Sequence, residues 1–307
     1  RNMASVRCWA LLLSSSLATA GNLSPQPKHW GVPRFSGKSV MVTGGDSGIG
    51  LAAVQAFYLE CAMVMMVGHN ATKTKAAFKN VTALEPPKSC SEPPVLKWIA
   101  VNIANASEAA MAVDATIKAF GGLDIAVNNA GAAGKNATQI GDDTFVEYFD
   151  KSIEMSVNVY GTLNCMNAQL RYFQTQRQHS SGERSSDKVM VNVASVCGET
   201  ARCGPSYSTS KWAEIGFSKQ AARTYAPMGI RINVLAPGPV DTPMLRDGRS
   251  QDDPEWQKKK KQIEAAVPLK RIADPWEMAG PILFLSSDES SYVTGLVLTA
   301  DGGFVIE

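Results

Sequence analysis

Thr43-Gly44-Gly45-Asp46-Ser47-Gly48-Ile49-Gly50 joins an apolar run, Ser39 to Thr43, to a helical pattern from Gly48 to Glu60. The first reads as a β-strand and the second as a helix, so the glycines fall where the chain turns from one to the other. Glycine at such a place allows a tight turn and lets backbone come close to another group. A helix start also presents unpaired N–H groups and partial positive charge, which suits a phosphate. A plain structural turn would use glycines too. Placement between strand and helix is what favours the phosphate reading.

Outward from this turn, short β-type runs alternate with helical patterns. Met63 to Val67, Leu96 to Val101, Asp124 to Asn128, Lys188 to Ala194, Ile230 to Leu235 and Leu296 to Thr299 read as strands. Between them, helical patterns run from the Lys/Ala-rich stretch ending at Leu84, through Ser107 to Phe120 and Lys151 to Gln176, to Tyr207 to Tyr225. Such alternation is the signature of a parallel sheet with crossover helices. Pro86, Pro87, Pro93 and Pro94 bracket Cys90 in a turn-rich excursion too short to be a domain, so residues 37–307 read as one domain.

Thirty basic and twenty-eight acidic side chains leave a formal charge of +2, which argues against a nucleic-acid partner. The Lys258 to Lys261 run reads as a solvated helical face. Six scattered cysteines with no C-x-x-C pair and no His cluster argue against a metal site. Cys61 and Cys165 read as small buried hydrophobes; Cys197 and Cys203 flank the candidate active site and could be oxidised together, although nothing in their spacing demands it. Residues 1–36 read as a leader. Acid-poor and serine-containing, with a weak apolar run from Trp9 to Leu17 before Ala18-Thr19-Ala20, they fit a secretory signal, an organelle transit peptide or a disordered leader on an otherwise cytoplasmic protein. Since the sequence opens at Arg1, Met3 reads as a start or the chain as a fragment. The run is too short and interrupted to span a bilayer. Asn22, Asn70, Asn80, Asn105 and Asn136 each open an N-x-S/T sequon, but these do not settle the compartment.

Tyr207-Ser208-Thr209-Ser210-Lys211 opens a helix, placing Tyr207 and Lys211 one turn apart on one face. A free phenol ionises near pH 10; a neighbouring ammonium favours the phenolate, which suits proton transfer. Ser195 ends a strand in Asn192-Val193-Ala194-Ser195, and strand carboxyl ends face the crevice of an open parallel sheet.

Together these segments resemble the short-chain dehydrogenase/reductase family: T-G-x-x-x-G-x-G at Thr43 to Gly50, Asn128-Asn129-Ala130-Gly131, Ser195, Y-x-x-x-K at Tyr207 to Lys211, and Pro237-Gly238-Pro239-Val240-Asp241-Thr242. The resemblance covers about residues 37 to 304, through Thr294-Gly295 and Asp301-Gly302-Gly303. It implies a Rossmann-type doubly wound α/β sheet of about seven parallel strands with helices on both faces. It also implies hydride exchange between a nicotinamide cofactor and a small alcohol, ketone or aldehyde. Asn158, Ser195, Tyr207 and Lys211 match the family's catalytic tetrad, with Asn158 in the place of the asparagine that holds a water beside the lysine. The implied cofactor contacts are Thr43, Gly44, Asp46, Ser47, Gly48, Ile49, Gly50, His69, Asn102, Ile103, Asn129, Ala130, Gly131, Tyr207, Lys211, Pro237, Gly238, Val240 and Thr242.

Two positions depart from the family pattern. Asn102 replaces the usual Asp beside adenine, and an amide still donates and accepts. Gly68 occupies the acidic position that would clasp the ribose of NAD, while His69 stands where NADP users carry Arg and Lys73 follows one helical turn on. NADP(H) is therefore favoured, with NAD(H) open. Thr242 to Val267 reads as a mobile flap over the substrate, which residues 132–146 and 196–205 would help select. Family members pair through helices matching 151–176 and 207–225, implying a homotetramer or dimer. A catalytically silent redox sensor and a cofactor-dependent epimerase or isomerase are the rival readings.

Overall fold

The computed structural model describes residues 33–134, 139–142, 144–178 and 188–306. The leader to residue 32, the sequons at Asn22 and Asn136, and the polar loop 179–187 lie outside the described residues.

Seven strands form the sheet: β1 (Ser39–Thr43), β2 (Met63–Gly68), β3 (Val95–Ala100), β4 (Ile125–Asn128), β5 (Lys188–Val193), β6 (Ile230–Pro237) and β7 (Val297–Ala300). Their order is β3-β2-β1-β4-β5-β6-β7, and every pairing is parallel. The chain therefore builds outward from β1 in one direction and from β4 in the other. At that reversal the crossovers on either side diverge, opening a crevice beyond the strand ends.

Side chains alternate between two cores because successive strand residues face opposite ways. Val40 and Val42 join one core while Met41 joins the other; Val189, Val191 and Val193 divide from Met190 in the same way. The first core is covered by α1 (Gly48–Leu59), α2 (Ala71–Thr82) and α8 (Pro275–Ser286). The second lies under α3 (Ala106–Phe120), α5 (Thr162–Gln178) and α6 (Pro205–Tyr225). Two further helices are α4 (Phe145–Asp150) and α7 (Pro254–Ala266), the second of which contributes Lys259 and Ile263 to the lining of the crevice. The parallel sheet expected from the alternation, and the doubly wound α/β form implied by the resemblance, are observed.

Several local expectations need correction. The helix expected over 151–176 is not one α-helix: Glu154–Gly161 is π-helical and only then does α5 begin. A π-segment carries one extra residue per turn, a local change with no signature in apolar spacing. The catalytic helix starts two residues before Tyr207, at Pro205, whose fixed φ suits a first helical position. Within the expected flap, α7 is anchored by Trp256, only 1% exposed. Packed chain also precedes residue 37: Phe35 is buried edge-on against Phe57, and Arg34 makes two 2.6 Å bonds to Glu60.

The cysteines give the clearest correction. Cys61 is buried, but not as a free thiol: it is bonded to Cys90, with their Cα atoms 5.5 Å apart. The proline-bracketed excursion is thus tied back to the end of α1. Cys197 and Cys203 are also joined, Cα atoms 5.7 Å apart. Cys165 is the small buried hydrophobe expected, its thiol pushed up to about 12 by burial.

The Cys61–Cys90 bond closes a separation of 29 residues. Cys90→Ser is expected to lower the unfolding free energy by about 2–4 kcal/mol. Denaturant titration would read this, with the gap between variant and parent closing under a strong thiol reductant.

Candidate active site

The phosphate-cradle turn takes the shape its glycines allow. Gly44 and Gly48 have φ of +63° and +51°, a region L side chains rarely adopt. A Cβ on Gly44 would sit 2.9 Å from the Cα of Ala130, and one on Gly50 would fall 2.2 Å from the carbonyl oxygen of Gly44. Ser47 caps α1 in extended conformation, but its side chain makes no capping bond. The first N–H groups of α1 thus face a cradle with no side-chain acceptor, as a pyrophosphate site requires.

The end of β4 is bolted to this turn. Thr43 Oγ1 accepts from the backbone N–H of Asn129 (3.0 Å) and of Ala130 (3.1 Å), while Asn129 Nδ2 donates to the Thr43 carbonyl at 3.1 Å. Thr43 and Gly50 therefore stand behind the cradle as braces and do not line it. Gly44, Asp46, Ser47, Gly48, Ile49, His69, Asn102, Ile103, Asn129, Ala130, Gly131, Pro237, Gly238, Val240 and Thr242 do line one crevice of about 920 Å³. That volume lies near the upper end for small-molecule sites. Thr242 packs its methyl against the turn, 3.1 Å from where a Gly48 Cβ would be. Val240 is held by a parallel bridge to Ala273.

The same crevice is lined by Ser195, Tyr207 and Lys211. Ser195 caps a 3-10 turn, Val196–Gly198, and its Oγ accepts from the Cys197 N–H at 3.1 Å. That bond uses a lone pair and leaves the hydroxyl hydrogen available to another acceptor. Lys211 Nζ lies 5.7 Å from the centre of the Tyr207 ring. Asn158 sits in the π-helical segment, fully buried behind the crevice wall. Its Nδ2 donates to the Ala132 carbonyl (3.0 Å) and to Ser210 Oγ (2.9 Å), and its Oδ1 accepts from the Ala132 N–H (2.7 Å). A Cβ on Gly131 would lie 3.4 Å from Asn158 Oδ1 and 3.5 Å from Lys211 Nζ, so both side chains converge beside that glycine. Four distant stretches thus meet at one place.

One member of this cluster was not anticipated. Lys211 Nζ donates to Glu214 at 2.8 and 3.0 Å and to the Val193 carbonyl at 3.3 Å, with Lys211 3% and Glu214 2% exposed. Burial pushes the Glu214 carboxyl up to about 7, offset only in part by the ammonium. Burial also works against the Lys211 ammonium, but the charges of Glu214 and Tyr207 outweigh it and hold the lysine above its ordinary range. The one available signal was positional: Glu214 falls three residues after Lys211, on the same helix face.

Because folded Glu214 holds its proton more tightly than an unfolded chain does, its contribution to stability is full below about pH 4.5 and is lost as pH rises through about 7. Glu214→Gln is expected to remove that part of the slope. Melting temperatures of both proteins between those pH values would check it; parallel curves would mean that the carboxyl is ionised throughout.

The family model described as enoyl-(acyl carrier protein) reductase matches residues 44–305. The chain is 34% identical to 2,5-dichloro-2,5-cyclohexadiene-1,4-diol dehydrogenase of Sphingobium indicum, over 88% of this chain and 98% of that one. It is also 34% identical to a 3-oxoacyl-(acyl-carrier-protein) reductase of Thermotoga maritima, over 89% and 100%. The crystal structure of levodione reductase superposes with a TM-score of 0.74 at 30% identity, over 88% of this chain and 98% of that one. Sheet order, cradle and tyrosine–lysine helix agree with these likenesses: the chain belongs to the short-chain dehydrogenase/reductase family.

Proposed function

We propose that Tyr207 is the proton donor and acceptor in a carbonyl–alcohol interconversion, with Ser195, Lys211 and Asn158 as its partners. The chain is an NAD(P)-dependent oxidoreductase acting on CH–OH groups. Neither a silent sensor nor an epimerase is favoured, because the hydroxyl pair and the lysine are intact and the matched relatives are named dehydrogenases and reductases. The observation that carries the assignment of roles is that Ser195, Tyr207 and Lys211 share a crevice with the glycine cradle.

The cradle residues, together with Val240 and with Thr242 packed against the turn, would hold the dinucleotide. When bound, its nicotinamide gives or takes the hydride. In reduction, Tyr207 Oη passes its proton to the carbonyl oxygen, and in oxidation it takes the proton back. Ser195, already accepting from the Cys197 N–H, donates its hydrogen to the same oxygen. Lys211 places a positive charge near the ring that becomes phenolate. Asn158 ties the π-helical segment to the second turn of α6 through Ser210.

NADP(H) is the favoured cofactor and NAD(H) the alternative. A side chain at Gly68 would place its Cβ 2.0 Å from Thr74 Oγ1, so the acidic residue that clasps a ribose has no room there. Ser47, His69 and Lys73 line that end, although Asp46 draws on Lys73 at 3.4 Å. Asn102 Oδ1 is engaged by the Ala104 N–H, leaving its NH2 for adenine. We also infer an oxidising compartment, consistent with a leader that directs export, because two disulfides persist poorly in a reducing one. Assembly as a homo-oligomer is supported by Tyr160 and Trp212, 58% and 54% exposed on the two segments expected to pair.

Tyr207→Phe is expected to lower kcat with an NADPH-consuming ketone by about 10²–10⁴-fold, the usual worth of a positioned acid/base. Cofactor affinity, read by calorimetry, should stay within a factor of a few. Unchanged turnover would remove Tyr207 from the chemistry. Lys73→Glu is expected to weaken NADPH binding by at least about tenfold while sparing NADH, a loss of about 1.4 kcal/mol. Equal effects on both would remove the phosphate preference.

A further inference from the structure

Seven charged or basic side chains line the crevice besides the tyrosine: Asp46, His69, Lys73, Arg202, Lys211, Asp247 and Lys259. Asp46 is paired with Lys73 at 3.4 Å, Asp247 with Lys259 at 3.3 Å, and Lys211 with Glu214 at 2.8 Å. Among the described residues, Arg202 is the one lysine or arginine of the crevice that meets no carboxylate within ion-pair distance. Its guanidinium lies instead 5.0 Å from the ring centre of Phe304, another crevice residue.

The position of Arg202 is built as well as unpaired. It lies inside the loop closed by the Cys197–Cys203 disulfide, between the turn capped by Ser195 and the start of α6 that carries Tyr207. Both ends of the loop are held at the reacting groups: Cys197 N–H donates to Ser195 Oγ, and Ser208 Oγ donates to the Cys203 carbonyl at 3.3 Å. A six-residue covalent loop limits where the arginine can go. Stacking on Phe304 steadies its planar head while leaving the five N–H donors free at the edge. The same crevice is also lined by apolar Val196, Met244, Leu245 and Ile263.

We propose that Arg202 is a specificity-determining residue, and that the substrate is an alcohol or ketone with an apolar body and an oxyanion group, such as a carboxylate or sulfonate, away from the reacting carbon. A guanidinium presents parallel donors that match two oxygens of such a group. Arg202 is exposed in this structure, and a substrate whose apolar body covers it would strengthen that bond over one in open water. This deepens the function proposed above and rests on it for the reaction, but not for the binding.

The test pairs para-acetylbenzoate and levulinate with their methyl esters, using the intact, oxidised enzyme with NADPH. For at least one pair the acid should be reduced with a kcat/KM at least about tenfold above its ester, as expected for one charge-assisted hydrogen bond of about 1.5–3 kcal/mol. Arg202→Met, which keeps an apolar stem against Phe304, should erase that preference through KM while leaving the ester rate unchanged. Arg202→Lys should restore part of it. Equal rates for acid and ester in both pairs, or a loss in Arg202→Met shared by acid and ester, would overturn the proposal. If no ketone is reduced, the Tyr207 assignment fails separately. Calorimetry of the same acids and esters with parent and Arg202→Met protein then decides: tighter acid binding that vanishes in the variant upholds the arginine, and indifference rejects it.

Discussion

The hydroxyl of Thr43 holds two backbone N–H groups of the neighbouring strand end, and most of the site hangs from that arrangement. β1 and β4 are the strands from which the sheet winds in opposite directions. Where their ends meet, the chain would lose its backbone partners to empty space unless something satisfied them. Thr43 does so on one side, and Asn129 returns an amide to the Thr43 and Gly44 carbonyls on the other. The glycine turn, the wall at Ala130 and Gly131, and the start of α1 are thereby set against each other within contact distance.

That constraint explains why the glycines are irreplaceable in different ways. Gly44 and Gly48 need positive φ, whereas Gly50 and Gly68 need the absence of a side chain, since their Cβ atoms would overlap neighbouring oxygens. A polar network of the same kind runs behind the crevice. Asn128, Gln169 and Asn192 exchange amide hydrogen bonds of 2.9 Å across β4, β5 and α5. Asn192 then donates to Ser218 on α6 at 2.8 Å. Buried amides are costly unless every partner is present, so this network favours one placement of α6, and with it one placement of Tyr207 and Lys211.

The Lys211–Glu214 pair sits on that platform and is the least ordinary feature of the site. A buried ammonium needs an anion or it sheds its proton. Glu214 supplies one from the same helix as pH rises past about 7, at the cost of burying a carboxyl. The positive charge near Tyr207 is therefore balanced from behind, and among the described residues Arg202 is the lysine or arginine of the crevice left without a carboxylate.

Much of this was legible along the chain, because the signals were local. Alternation of β-type runs with helices determined a parallel sheet, and the glycine turn, Ser195 and the Tyr207–Lys211 spacing determined which ends of which elements would carry the site. What the linear order left open was partnership. The disulfide of Cys61 with Cys90, the π-helical turn that aims Asn158, and the arrival of Glu214 under Lys211 all depend on which segments become neighbours after packing. Arg202 likewise reads as any loop arginine until the sheet, the covalent loop and Phe304 surround it. Periodicity reports how one segment faces a core; only the folded arrangement decides which charges end up facing one another out of water.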